Sequence, residues 1–417
     1  MKVAFLIHDL QLSGGVGVVV QHARHLVHEH GFDVRLVLVR EQEEPSWGYE
    51  SLKGLPAESM NTAREEHFDV AVCTWWETAF SLLDVPADRY AYFVQSLEDR
   101  FYLPFEADRH VARLTWNLPV SFITEARWIA DTLRGLRPDA PCFYVRNGMD
   151  KAIYDPIERV EPHLDGPLRI LIEGHPSVWF KGVHQAIDAA GRMSEPVHTT
   201  VVTGDRTGLG EVDVDRVVGP VGHREMAGLY GESHVVLKLS RVEGMFGPPL
   251  EGFHRGATCV TTEVTGADEY IRHGWNALLV DWDDPAGTAR SLDLLARDRR
   301  LLHFLRTNAL QTARAWPSWH QSSQFMALAL QRIRRDPPPP AIPAARDMAV
   351  DIRAMLDAYR VHMHERRAFL REAQRIERVK RLPVVRQARR VRASPQARRM
   401  FGPFWPLLRS ARRRLLG

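Results

Sequence analysis

The chain has 417 residues, of which 45% are hydrophobic and 26% charged, and a formal net charge of +3, an ordinary composition for a globular enzyme and length enough for two domains and a tail. No run of about eighteen uninterrupted apolar residues occurs, which excludes a membrane-spanning helix, and the apolar opening Met1–His8 is too short for a signal peptide. Cys73, Cys142 and Cys259 are scattered in or beside apolar runs with no metal-binding spacing, and read as core residues of a chain kept in a reducing cytosol.

In chain order, Lys2–His8 reads as a strand, Leu12-Ser-Gly-Gly-Val-Gly17 as a Gly-rich turn and Val18–His30 as a helix stopped by Gly31. Strand-like runs recur at Asp33–Val39, Phe68–Thr74, Tyr90–Gln95, Val120–Thr124 and Cys142–Val145, giving a first domain over residues 1–155. Tyr154–Pro167 is charged, proline-bearing and aperiodic, as a linker would be. Leu168–Gly174, Thr199–Gly204, His234–Leu239, Thr258–Thr262 and Ala277–Val280 are the strands of a second domain over 165–315, followed there by helices Pro285–Arg297 and Arg300–Ala315. Trp316–Arg334 is a further helix, Asp336–Pro343 a stiff proline spacer, and Arg346–Leu382 a helix opening a basic tail over 345–417. Alternating strands and helices predict an α/β protein whose parallel sheets are covered on both faces.

The densest chemistry lies at Glu243-Gly-Met-Phe-Gly-Pro-Pro-Leu-Glu251, two carboxylates flanking a turn that leads from a buried strand into a helix. A helix N-terminus offers unpaired N–H groups and a positive dipole end to an anion, while carboxylates accept hydrogen bonds from vicinal hydroxyls. Together they suit a ligand with a phosphate at one end and hydroxyls at the other, such as a nucleotide sugar. The plainer alternative is a surface turn with two solvated acids. Gly14 and Gly15 sit between the first strand and helix, where glycine lets a ligand approach the backbone. Their spacing is not that of a dinucleotide fingerprint, and an ordinary turn of a parallel α/β fold is the alternative. Lys181 opens a helix after the second domain's first strand and can neutralise a diphosphate, or simply be a solvated lysine. Gln95 ends a strand at the carboxyl edge of the first sheet, where ligands bind, and Glu98 and Asp99 follow as acceptor-hydroxyl ligands or plain N-terminal helix acids.

The order strand, Glu-Gly turn, helix, strand, Gly-x-x-Glu turn (Gly266 to Glu269) resembles the donor site of retaining glycosyltransferases of family four, built from two Rossmann-like domains in the GT-B fold. The resemblance spans roughly residues 1–335, with Glu243 and Glu251 in register and one local departure, Glu-Gly-Met-Phe-Gly for the usual Glu-Gly-Phe-Gly. It implies a donor site of Gly14, Gly15, Lys181, Gly247, Leu250, Glu251 and Glu269, with catalysis by Glu243, Lys181 and Gln95. It further implies Glu251 on the ribose, Glu243 near the donor sugar, no divalent metal and no cofactor beyond the nucleotide diphosphate sugar itself. Where the family carries an arginine six residues before the lysine, this chain has His175, and Arg206 is the expected substitute. Tyr92-Phe-Val-Gln95 is similar to rhamnan-type rhamnosyltransferases, which would make the donated sugar rhamnose and the acceptor a cell-envelope glycan or lipid-linked sugar.

Two other classes remain open, a sugar-nucleotide epimerase of the same shape and a non-enzymatic scaffold docked through its tail. His22, His25 and His28 share a helical face, and Asp213-Val-Asp215 and Asp281-Trp-Asp283 imitate metal motifs, yet a surface helix and a helix N-cap account for the histidines and for the Asp283–Pro285 segment. From Ala345 onward 20 Arg or Lys face 6 Asp or Glu, a net of +14 that leaves −11 for the first 344 residues. With Phe401, Phe404 and Trp405 near Arg412–Arg414, that tail is expected to bind an anionic membrane surface on the cytoplasmic side rather than nucleic acid.

Overall fold

Nearly continuous apolar runs cannot alternate between a dry and a wet face, so they belong in parallel sheets buried on both sides. A computed structural model, which describes residues 1–10, 13–40, 54–161, 165–337 and 342–381, places them so. The first sheet comprises β1 (Lys2–Ile7), β2 (Asp33–Leu38), β3 (Ala57–Ser59), β4 (Phe68–Cys73), β5 (Ala87–Val94), β6 (Ser121–Thr124) and β7 (Cys142–Tyr144), in spatial order β3-β2-β1-β4-β5-β6-β7. The second comprises β8 (Leu168–Glu173), β9 (Val197–Val202), β10 (Arg216–Val218), β11 (Val235–Lys238), β12 (Thr258–Thr262) and β13 (Ala277–Val280), in order β10-β9-β8-β11-β12-β13. Every pairing in both sheets is parallel. The edge strands β3 and β10, three residues each, are additions to the predicted set.

In each sheet the winding reverses beside the first strand, between β1 and β4 and between β8 and β11. The crevice outside the carboxyl ends at such a switch point is where α/β sheets bind ligands. The residues at or beyond the carboxyl ends of β1, β4, β5, β8 and β11 are therefore the ones that matter: His8, Trp75 and Gln95 in the first domain, Glu173, Lys181 and Glu243 in the second.

The Gly14–His30 helix starts earlier than the sequence suggests, because Ser13 caps it by accepting from the Val16 N–H at 3.2 Å and draws Gly14 and Gly15 into its first turn. It ends at Gly31 in the left-handed region (φ 65°), whose N–H reaches the Leu26 carbonyl. The Trp319–Arg335 helix, opened by a Ser318–Gln321 capping box, lays Met326, Leu330 and Ile333 against Val3, Phe5 and Val19 of the first domain. That packing buries His22 edge-on to Phe93 and Trp319, which corrects its reading as one of three histidines on a surface helix. Asp284 caps the Pro285–Arg297 helix by accepting from the Gly287 N–H at 2.8 Å. All three cysteines are free.

A last helix runs over Ile342–Arg381, four residues earlier than expected at its start, and residues from Arg353 onward form a unit of their own. The central prolines at 338–340, the aromatic cluster Phe401–Leu408 and the arginines from Arg386 onward lie outside the described residues. No described helix is long and apolar enough to cross a membrane.

Candidate active site

At the end of β8 the chain makes a short turn over Trp179–Lys181, and Gly182 (φ 63°) redirects it into the Val183–Gly191 helix. This aims the Lys181 ammonium at the turn after β11, where it donates to both oxygens of Glu243 at 2.9 and 3.0 Å. Two of the three residues assigned to catalysis are thus brought together as a two-pronged ion pair. The turn then enters the Gly247–His254 helix, whose first turn holds Pro248 and Pro249 and has no side-chain cap on its N–H groups. Leu250 is fully buried and anchors this helix in the core, so its contribution to any ligand is its backbone.

Glu251, one helical turn in, lies near the Tyr154 and Tyr230 hydroxyls, and burial, reinforced by the nearby Glu173 charge, pushes its carboxyl up to about 7. Tyr154, the first residue of the expected linker, is therefore built into the second domain beside the site. Beneath these groups lies an ion pair the sequence reading did not single out, its lysine buried and its carboxylate 31% exposed. Lys238, 2% exposed at the end of β11, donates to the Glu173 carboxylate at 2.8 Å and to the Glu173 carbonyl at 3.2 Å. Burial alone would depress the Lys238 ammonium, but Glu173, Glu243 and Glu251 outweigh it and hold it above its ordinary value. Removing charges from water costs several kcal/mol per ion, so a pair placed at a switch point marks a working site more than a stabilising one. A lysine inside the apolar run His234–Ser240 was the signal for it.

The first domain closes onto this turn. Gln95 packs its side-chain amide over Gly15, where an added Cβ would stand 3.3 Å from Oε1, and its carbonyl oxygen lies against Gly244. Glu125 accepts from the Met245 N–H at 3.0 Å and from Asn147 at 2.7 Å, and burial raises its carboxyl to about 7. Trp128 donates to the Gly244 carbonyl at 3.0 Å. Glu269, expected at the donor, is instead held by the first domain, accepting from the Arg127 N–H, from the Tyr144 hydroxyl at 2.7 Å and from Arg146 at 3.5 Å. Arg206 starts a short helix and donates to the Val217 carbonyl at 3.3 Å, while His175 pairs with Asp205 at 3.3 Å.

The short turn over Glu98–Phe101 points both expected acceptor ligands inward. Asp99 is buried, 4.0 Å from Arg109. Glu98 is 2% exposed and accepts from the Trp76 N–H at 2.6 Å and the Tyr92 hydroxyl at 2.7 Å, so neither acid offers a free carboxylate to the cleft. Burial raises the Glu98 carboxyl to about 8. An acid with a raised folded-state pKa stabilises the fold below its unfolded pKa of about 4.5 and loses that contribution as pH rises through its folded value. Glu98→Gln, which keeps the accepting oxygen and removes the proton, is expected to melt with the parent at pH 5 and several degrees higher at pH 8.5. Calorimetric melting curves that stay parallel across that range would show that Glu98 is not the titrating group.

Residues 168–298 match the family described as glycosyl transferases group 1. The fold is that of Anabaena HepE (TM-score 0.65, 16% identity, covering 80% of this chain and 100% of that one). The chain has the GT-B fold, and the family match falls within its second domain. Sucrose-phosphate synthase from Thermosynechococcus elongatus shares the fold (TM-score 0.63, 14% identity, 79% of this chain and 98% of that one). So does the lipopolysaccharide outer core galactosyltransferase WaaB (TM-score 0.59, 12% identity, 79% and 99%). Among curated proteins none matches the chain significantly by sequence. Within this fold, the Lys181–Glu243 pair and the helix start at Gly247 occupy the carboxyl edge of the second sheet, facing the first domain's Gln95 across the cleft.

Proposed function

We propose that the protein is a retaining glycosyltransferase that carries a sugar, of the rhamnose type, from a nucleotide diphosphate to a cell-envelope glycan or lipid-linked acceptor. The observation that carries this reading is the Lys181–Glu243 pair set at the uncapped N-terminus of the Gly247–His254 helix, with Glu251 one turn further in. Anabaena HepE, of the same fold, has been crystallised with UDP and with UDP-glucose, which supports a nucleotide-sugar donor here.

In this reading the Gly247 and Leu250 N–H groups, the two that the first turn offers beside its prolines, and Lys181 take the diphosphate, Glu251 takes the ribose hydroxyls and Glu243 orients the donor sugar. The glycosidic bond to the leaving phosphate breaks through an oxocarbenium-like state, and negative charge builds on that phosphate. Donors already aimed at the charge stabilise it, each worth roughly 3 kcal/mol. The departing phosphate oxygen takes the acceptor hydroxyl's proton as the new bond forms on the same face, with Gln95 positioned across the cleft.

Calorimetry separates the two acids. Glu251→Ala is expected to weaken nucleotide binding by about 1.5–3 kcal/mol, the value of a charge-assisted hydrogen bond. Glu243→Ala is expected to lower turnover at nearly unchanged nucleotide affinity, and the product's anomeric configuration, read by NMR, should match the donor's. Unchanged nucleotide affinity in Glu251→Ala removes the ribose assignment, and an inverted product removes retention.

A further inference from the structure

Carbohydrates are held by carboxylates and amides on their hydroxyls and by aromatic rings against their C–H faces. With Glu98 and Asp99 turned inward, the polar half of that recognition has to come from elsewhere on the acceptor side. The aromatic half is conspicuous. Trp75, just past β4, stacks on Phe101 with ring centres 5.9 Å apart and 16° between planes. Phe101 in turn stacks on Phe180 of the second domain at 5.0 Å and 21°. Trp179 meets Phe180 edge-on at 5.6 Å and ties its indole N–H to the Phe101 carbonyl at 3.1 Å. Four rings thus run across the cleft from the carboxyl edge of one sheet to that of the other.

This ladder ends at the reacting groups. Lys181 follows Phe180 directly, with its ammonium 5.5 Å from that ring centre. At the other end Glu77, in the same turn as Trp76, accepts from Arg40 at 3.1 Å and lies 3.3 Å from His8, which also pairs with Asp9 at 3.0 Å. Trp179 is 44% exposed, although burying its indole would be favourable in water. An indole face left half open beside the Lys181–Glu243 pair fits a sugar ring better than a lipid chain, which would need a continuous apolar channel.

We propose that Trp179, braced edge-on by Phe180 and the Phe101 and Trp75 rings stacked behind it, seats a pyranose ring as the acceptor subsite, so that the acceptor's reacting end is itself a sugar. The proposal rests on the glycosyltransferase reading given above, and the test keeps the two apart.

The full chain is titrated with methyl α-L-rhamnopyranoside and methyl α-D-glucopyranoside, with glycerol as a control that lacks a ring. Tryptophan fluorescence and saturation-transfer NMR are the readouts, and nucleotide diphosphates are titrated alongside. A glycoside is expected to shift the fluorescence, and glycerol is not. Trp179→Ala should weaken the glycoside about tenfold, with partial recovery in Trp179→Phe, while the nucleotide still binds. If nucleotide binds but no glycoside does, or if Trp179→Ala and Trp75→Leu both keep the parent's glycoside affinity, the subsite is overturned and the glycosyltransferase reading stands. If a glycoside binds through Trp179 and no nucleotide binds, Trp179 is a sugar seat but not an acceptor subsite, and the transferase reading falls; if neither binds, both fall.

Discussion

Lys181→Ala is expected to lower kcat by about 10²–10³-fold, the cost of removing one prepositioned donor from a developing anion. The physical reason is the place of its ammonium, bound to both oxygens of Glu243 beside the helix that opens at Gly247. Without it Glu243 loses its orienting partner, and the leaving phosphate faces only backbone N–H groups. His175→Ala should change kcat by only a few fold, because the His175 ring is turned to Asp205 at 3.3 Å. Steady-state rates of the two variants with one donor decide the matter. Equal losses would show that the histidine shares the phosphate and would revise the single-cation site.

Gly244→Ala is expected to be comparably damaging through geometry alone. A Cβ at this position would run into the Gln95 carbonyl oxygen, and the Glu125 carboxylate would stand 3.1 Å away. On its other side the Gly244 carbonyl is crowded by Gly266 (φ 84°), which admits no side chain either. The glycines let three backbone segments from two domains pack in direct contact. With a methyl group between them the domains are held apart, and a displacement of about 1 Å at a reacting centre is enough to cost roughly 10²-fold. In the proposed reading Lys181, Glu251 and the Gly247–His254 helix, which take the nucleotide, all belong to the second domain, so nucleotide binding should survive. The measurement pairs kcat with small-angle scattering, the variant being expected to stay more open than the parent; turnover at the parent's level would show that the closed contact is not the reacting geometry.

Much of this architecture was legible in residue order. Buried strands such as Val235–Lys238 and Thr258–Thr262 are apolar runs bounded by turn residues, and the Glu243–Glu251 spacing survives folding because turn and helix are contiguous in the chain. The edge strands Ala57–Ser59 and Arg216–Val218 escaped because three half-exposed residues have no periodicity to detect, and their pairing comes from the neighbouring strand. Glu269 was legible as an acid at a helix start but not as a ligand of Tyr144 and Arg146, more than a hundred residues away.

By itself the sequence determined two α/β domains, the register of the two acids and the lysine that opens the helix after β8, since each depends on neighbours within about ten positions. The tertiary structure decided the rest. It paired Lys181 with Glu243, set Lys238 and Glu173 beneath them, turned Glu98 and Asp99 into the core and aligned Trp75, Phe101, Phe180 and Trp179 across the cleft. Those arrangements join the ends of strands far apart in the chain, and only the winding of two parallel sheets around their switch points brings such ends to one edge.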